Sequence, residues 1–198
     1  YCINNWQLYQ LMSKDFNTVK TEVKRWRNFT FNGQVYDLSH LDVHRVEYTD
    51  ETDENNPFTY RFIVTYSSHC FTGKSEDLTS EELELLMYHD LNKKESRPFN
   101  FERYHLSRQL PSIIKSLADK TTLVCHAGYK KYASVKVLDS NGIEVDYFVV
   151  FTVFRESKKL RLHIQSAYPK YDGIGKVEKV HFFVIAKNLL NNKKLPTP

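Results

Sequence analysis

The sequence has few cysteines, few glycines and few methionines, and each shortage narrows the class of protein. Three cysteines in 198 residues, a sparse and odd-numbered set, argue against a disulfide scaffold and favour a reducing, cytoplasmic compartment. Six glycines and two methionines stand against 13 tyrosines and 13 phenylalanines, which indicates a packed, strand-rich protein. The length suits one domain, or a small domain with a large N-terminal extension.

Long apolar runs are also missing. No run approaches the roughly 18–20 residues that a membrane helix needs, so we expect no membrane partner. The first 20 residues lack the compact apolar core of a signal peptide. Met12 begins a more ordinary polar start, which suggests that the first 11 residues are an upstream extension.

Familiar catalytic signatures are missing as well. The sequence contains no P-loop, dinucleotide glycine fingerprint, HExxH or GxSxG string, which argues against nucleotide-dependent catalysis and α/β-hydrolase chemistry. The two His–Cys doublets, at residues 69–70 and 125–126, lack the usual spacing of paired zinc ligands. Adjacent strand residues point to opposite faces, so these doublets favour neither a zinc site nor a Cys–His nucleophilic pair. We expect no metal and no cofactor.

Charge is distributed unevenly along the chain. Residues 1–100 carry 11 Lys/Arg and 16 Asp/Glu, whereas residues 101–198 carry 17 Lys/Arg and 8 Asp/Glu. The net charge therefore changes from −5 to +9 between the two halves. A basic half is typical of a protein that binds a polyanion, and RNA is the expected partner. Ordinary solvated surface charge is the alternative interpretation.

The polar connector at residues 92–98 is the best domain boundary. It separates an acidic N-terminal region, residues 1–97, from a basic C-terminal domain, residues 98–198. In the first region we expect a helix over 13–28, short strands, and a second helix opened by the capping box Thr79–Glu82. An alternating pattern over residues 58–67 predicts a strand there.

The C-terminal domain begins with helical periodicity that Pro111 interrupts, so two helical pieces are expected. Strand candidates then follow one another at residues 122–125 with 132–138, 145–154, 160–168 and 177–186. Helices followed by an antiparallel meander make an α+β fold. We therefore expect helices packed on a mostly antiparallel sheet of four or more strands, with an α/β N-terminal extension.

Residues 159–168 carry the strongest functional pattern. Arg161, His163 and Gln165 alternate with three apolar residues, which predicts a strand with one buried and one polar face. In a meander, the next strand would place Lys179 and His181 beside that polar face. The alternatives are that the face is simply solvated or covered by the N-terminal half, and that His181 is a core histidine.

These side chains suit RNA cleavage without a metal. Arginine and lysine hold phosphate, and a histidine near neutral pKa takes or gives a proton. His163 would be a general acid or base, Arg161 and Lys179 would bind the scissile phosphate, and His181 would be a second proton carrier. Gln165 would complete this catalytic face.

Two further segments are candidates for RNA contacts. The basic, aromatic loop after residue 125 contributes His126, Tyr129, Lys130 and Lys131, of which the tyrosine would stack on a base and the lysines would contact phosphate. On the preceding helix, Arg103 and Arg108 would anchor phosphate. The alternatives are a lysine-rich hairpin loop and a helix whose arginines pair with carboxylates.

A helical lead followed by an antiparallel sheet, with Arg, His, Lys and Gln on a basic face, resembles the bacterial ribonuclease toxins of the barnase/RelE-like superfamily. The resemblance covers about residues 99–192 and implies a metal-independent endoribonuclease that cleaves by 2′-hydroxyl attack, acts as a toxin and has an inhibitory protein partner. Strings at residues 37–42, 68–72 and 97–107 separately resemble a phage- or plasmid-borne bacterial family. The competing hypothesis is a non-enzymatic RNA-binding or protein-interaction module that uses the basic sheet face.

Overall fold

The structure, a computed structural model, describes residues 23–74, 78–90, 95–127, 131–140, 143–173, 175 and 177–196. The side chains of residues 135–140, 143 and 144 are outside this description. Of the helix predicted over residues 13–28, only residues 23–28 are described, and they are not helical. Among the described residues, no helix is long and apolar enough to cross a membrane.

Strands dominate the described chain, and short helices connect them. The strands are β1 (Phe29–Phe31), β2 (Gln34–Tyr36), β3 (His44–Asp50), β4 (Phe58–Tyr66), β5 (Met87–Asp90), β6 (Glu95–Pro98), β7 (Leu123–His126), β8 (Tyr132–Ser140), β9 (Ile143–Glu156) and β10 (Lys159–Lys170). The helices are α1 (Ser80–Leu86), α2 (Phe101–Ser107), α3 (Leu110–Lys115) and α4 (Phe182–Leu190), with short 3-10 helices at Ser39–Leu41 and Ser68–Cys70.

One six-stranded sheet organises the molecule. Its order is β3-β4-β10-β9-β8-β7, and β1 with β2 and β5 with β6 form two separate hairpins. All neighbours in the large sheet are antiparallel except β4 and β10, which run parallel. The α+β class is therefore confirmed. β7 to β10 follow one another as an antiparallel meander, but the parallel β4 beside β10 makes the whole sheet mixed instead of mostly antiparallel.

The parallel pair unites the two predicted regions. Phe62, Val64 and Tyr66 of β4 lie opposite Leu160, Leu162 and Ile164 of β10, and all six side chains are buried. They belong to one apolar core that draws residues from both sides of the predicted 97/98 boundary. A stacked pair, Phe29 and Phe99, with ring centroids 4.2 Å apart, also crosses that boundary. One main core therefore includes residues from both predicted regions.

Local signals in the sequence set the helix boundaries. Thr79 caps α1 in the predicted capping box, where its side chain accepts from the Glu82 N–H and the Glu82 carboxylate accepts from the Thr79 N–H. Pro111 lies in the first turn of α3, where its missing donor is tolerated, so α2 ends before it and two helices form as predicted.

The strand predicted over residues 177–186 is wrong. Residues 182–190 form helix α4, whose buried residues Phe182, Ile185, Ala186 and Leu189 follow the three-to-four-residue helical spacing. Before the helix, Lys179 makes an isolated bridge with Cys125, and the Val180 N–H donates to the Val124 carbonyl over 2.8 Å. This segment therefore extends the β7 end of the sheet and does not pair with β10.

His40, in the 3-10 helix Ser39–Leu41, contacts α2 and should make the stability of the fold depend on pH. The His40 Nε2 atom lies 2.8 Å from the Ser107 hydroxyl. Burial lowers the pKa of His40 below its ordinary value of 6.5, and Arg108 lowers it further. The unfolded chain then binds more protons than the folded one at mildly acidic pH. The stabilisation that neutral His40 provides is therefore fully present above about pH 6.5 and is lost as the pH falls below that value.

We expect His40→Gln to reduce the loss of stability between about pH 7.5 and 5.5, measured by urea unfolding at several pH values. Part of the loss should remain, because burial also lowers the pKa of His44. His105→Gln, at an exposed position of α2, is the control for removal of an imidazole and should change the free energy of unfolding at pH 7.5 by less than about 0.5 kcal/mol. An unchanged slope in His40→Gln would contradict the proposed titration.

Candidate functional site

The three polar side chains predicted to form the catalytic face of β10 are built into the sheet. Arg161 is only 1% exposed and lies between Ile63 of β4 and Phe154 of β9 in the sheet. His163 is partly buried, and its Nδ1 atom is hydrogen-bonded to the Thr65 hydroxyl at 3.0 Å. Gln165 lies at the bulge in β10, where its Oε1 atom is buried. These three side chains are therefore integrated into the sheet.

Lys179 and His181 do not lie on a strand beside these residues. Lys179 adjoins β7, and three strands of the sheet, β9, β8 and β7, separate it from β10 in the sheet order. The structure therefore does not bring the predicted catalytic set together. Cleavage of RNA by this protein stays a prediction, without the cleft on which its mechanism depended.

Arg103, predicted to anchor phosphate, clamps a turn of the protein. One terminal nitrogen of its guanidinium donates to the His69 carbonyl at 3.1 Å and to the Thr72 carbonyl at 2.9 Å. Its guanidinium carbon lies 5.6 Å from the centre of the Tyr168 ring. Burial lowers the pKa of Arg103, and nearby Arg97 lowers it further. This geometry indicates a structural role.

The remaining predicted RNA contacts do not converge with β10. His126 is partly buried on β7, with its ring centroid 5.4 Å from that of Tyr132, and Lys131 is partly buried just before β8. Arg108 is exposed at the end of α2. Tyr129 and Lys130 lie outside the described residues.

A groove that the sequence did not predict opens where β4 and β10 begin. It encloses about 430 Å³, and we call it the basic groove. Its cations come from three places in the fold: Arg45 on β3, Arg61 on β4, and Lys158 and Lys159 at the β9–β10 turn. Its one carboxylate, Glu47, accepts from the Arg61 Nε–H at 2.9 Å. Among the described lining residues, four cations and one carboxylate therefore surround this groove.

Sheet register explains this concentration of charge. Glu47 and Arg61 are direct partners across β3 and β4, so their side chains share one face. The turn from β9 to β10 places Ser157 and Lys158 at positive φ, of 47° and 66°, in a tight hairpin. Because β4 and β10 are parallel, their starts lie at the same end of the sheet, and the turn lysines join the arginines there.

A second cavity adjoins the basic groove, and we call it the polar pocket. It encloses about 440 Å³ and shares Phe58, Tyr60 and Leu190 with the groove. Its other lining residues carry carboxylates, amides, a hydroxyl and an ammonium: Asp50, Thr52, Asp53, Asn56, Lys187 and Asn191. The surface thus changes from cationic to mixed polar chemistry across Phe58.

A third cavity, which we call the large cleft, has a volume of about 860 Å³ and is lined by residues of the β3–β4 loop. Asp50, Glu51, Glu54 and Asp119 outnumber its two cations, Lys120 and Lys179, and His181 lines it as well. The carboxylates disfavour a phosphate ligand here. Among the described residues, no group of three or more His, Cys, Asp or Glu side chains is arranged to hold a metal ion.

Comparison with known proteins places the chain in a family. The YjaZ family model matches residues 28–190. The chain belongs to the YjaZ family. It is 48% identical over 182 residues to protein YjaZ of Escherichia coli strain K12, covering 91% of this chain and 99% of that protein. No solved structure matches. Membership of the YjaZ family does not test the resemblance to ribonuclease toxins or to a phage-borne family, and both stay predictions.

The hydrogen bonds of Arg103 allow a test of whether this residue stabilises the fold or binds RNA. We expect Arg103→Ala to lower the free energy of unfolding by about 2 kcal/mol, because it leaves two carbonyls without a charged donor. Arg103→Lys should recover only part of this loss, since an ammonium cannot reproduce the planar fork. Urea unfolding measures both changes.

The control for this prediction is Arg108→Ala, at an exposed position of the same segment, which should change stability by less than about 0.5 kcal/mol. If Arg103→Ala left stability intact and instead weakened binding to RNA, the structural assignment would be wrong.

Proposed function

We propose that this protein is a non-enzymatic RNA-binding module that holds the sugar–phosphate backbone in the basic groove. The observation that carries the proposal is the convergence of four cationic side chains around one accessible groove with a single carboxylate. Cations in such an arrangement neutralise phosphates and release condensed counterions, which supplies most of the affinity for nucleic acid.

The chemistry of each side chain supports a backbone ligand. Arginine presents a planar fork that matches phosphate oxygens, and lysine acts as a mobile point charge. Glu47 offsets part of the charge of Arg61, and both side chains stay exposed to solvent and to a ligand. Lys158 and Lys159 extend from a turn, where long side chains reach a ligand easily.

The composition of the groove favours binding over catalysis. Its described lining residues include neither histidine nor cysteine, and its one carboxylate is paired with Arg61. Cleavage at the 2′-hydroxyl needs two proton carriers within reach of one phosphate. This groove offers cations that can bind the phosphate. Its described lining offers no second proton carrier beside Glu47.

The groove also revises the meaning of the charge asymmetry. Arg45 and Arg61 belong to the half of the chain with net charge −5, yet they supply two of the four cations. Many of the acidic residues near them in sequence instead line the large cleft. Folding thus sorts the charges into separate surfaces, and one of these surfaces suits RNA.

Fluorescence anisotropy with a labelled single-stranded RNA in EDTA tests the proposal. Neutralisation of phosphates by four cations predicts a slope of about −3 for the logarithm of the binding constant against that of the salt concentration. The double variant Lys158→Gln, Lys159→Gln should weaken binding and reduce the slope to about −1.5. Gln is chosen because it keeps the side-chain length while removing the charge.

The matched control is Lys74→Gln, Lys115→Gln, which removes the same charge from exposed positions outside the groove and should keep the slope near the original value. Gel electrophoresis of the same samples should show intact RNA. Binding that does not depend on salt, or no binding at all, would refute the proposal. Cleavage of the RNA in EDTA would instead support the ribonuclease hypothesis.

A further inference from the structure

The basic groove and the polar pocket are two compartments with a common wall. Phe58, Tyr60 and Leu190 line both of them. Four cations and one carboxylate lie on one side of this wall, whereas hydroxyl, amide and carboxylate groups with a single ammonium, that of Lys187, lie on the other. A nucleotide has the same division, because its phosphate is anionic and its base is a flat, neutral ring with hydrogen-bonding edges.

Phe58 is the exposed part of the wall. Its side chain is 48% exposed, while Tyr60 beneath it is 5% exposed. The two rings meet edge to face, with centroids 4.8 Å apart and planes at 65°. Tyr60 in turn lies 6.1 Å from Phe183 of α4, measured between ring centroids. A supported aromatic ring with one accessible side is a suitable platform for a base.

The polar pocket is built from side chains that the fold already orients. One oxygen of Asp50 accepts from the Thr52 N–H at 3.1 Å and from the Thr52 hydroxyl at 2.5 Å. One oxygen of Asp53 accepts from the Asn55 N–H at 3.1 Å. On the facing helix, the Asn191 amide donates to the Lys187 carbonyl at 2.8 Å. These contacts hold donors and acceptors around the pocket.

We infer that the polar pocket binds one unpaired nucleobase of the RNA whose phosphates lie in the basic groove, with the base stacked on Phe58. This inference rests on the proposed function of the groove. It adds a second site and a substrate class, single-stranded RNA. A base within a duplex is stacked on both sides and paired along its edge, so it cannot enter such a pocket without being extruded.

The carboxylates of the pocket also set a preference among bases. A carboxylate only accepts hydrogen bonds, so Asp50 and Asp53 favour a base edge that carries N–H donors. Guanine presents an amino group beside a ring N–H, which matches the two oxygens of one carboxylate, and its carbonyl suits a donor such as Lys187. The pocket should therefore favour guanine over uracil.

The experiment measures the affinity of the full chain and its variants for four probes: an oligouridine with one central guanine, a plain oligouridine, the guanine strand annealed to its complement, and inorganic polyphosphate. Phe58→Ala should weaken binding of the single strand about tenfold, the usual order for loss of one stacked base. Polyphosphate binding should fall far less, because Phe58 carries no charge. Phe58→Trp, which keeps an aromatic face, should retain single-strand affinity.

One control variant, one variant that tests base preference and a check of folding complete the experiment. Phe154→Ala removes another exposed phenylalanine that lines neither cavity, and it should not alter any affinity. Asp53→Asn should reduce the preference for the guanine strand over plain oligouridine without weakening polyphosphate binding. Circular dichroism and thermal unfolding confirm that each variant is folded.

The outcomes distinguish the pocket from the groove. Equal losses for the single strand and polyphosphate in Phe58→Ala, or no loss for either, would overturn the nucleobase site while leaving the proposed function in place. Equal affinity of the wild-type protein for single strand and duplex would overturn it too. Failure of the wild-type protein to bind polyphosphate and RNA at all would instead overturn the proposed function.

Discussion

The parallel pairing of β4 with β10 is the constraint on which the rest of the structure depends. It joins a hairpin from the first third of the chain to strands from the last third, so one sheet and one core include both. It places β10 in the interior of the sheet, where Arg161 is buried, and it brings the β9–β10 turn beside the start of β4. The core and the basic groove therefore have the same origin.

Features that depend on a few neighbouring residues were predictable from the sequence. The capping box at Thr79, the helix break at Pro111 and the alternating strand that became β4 all formed. The run 180–186 was ambiguous because it is almost continuously apolar and rich in aromatic and β-branched residues, which favour strands. Packing of Phe182 against Tyr48 and Phe62 accompanies the helical outcome, and such contacts leave no local signal.

The candidate site was less predictable, for a physical reason. Alternation along β10 correctly separated an apolar from a polar face, but period two does not say whether a polar face meets solvent. Only the neighbours decide this, and they come from β4 and β9. The basic groove needs residues 45, 61, 158 and 159 at one end of the sheet, which follows from a pairing that no contiguous stretch of sequence encodes.

Net charge per half was likewise a poor guide to the surface. Charges more than about 8 Å apart are largely screened at physiological ionic strength, so a ligand responds to the few residues around it. Around the groove those residues are cationic, although half of them come from the acidic half of the sequence. Beyond Phe58 and the β3–β4 loop, the carboxylates of the large cleft repel the same phosphate. Under the proposed function, Phe58 is thus where the phosphate chain stays in the basic groove and the neutral base enters the polar pocket.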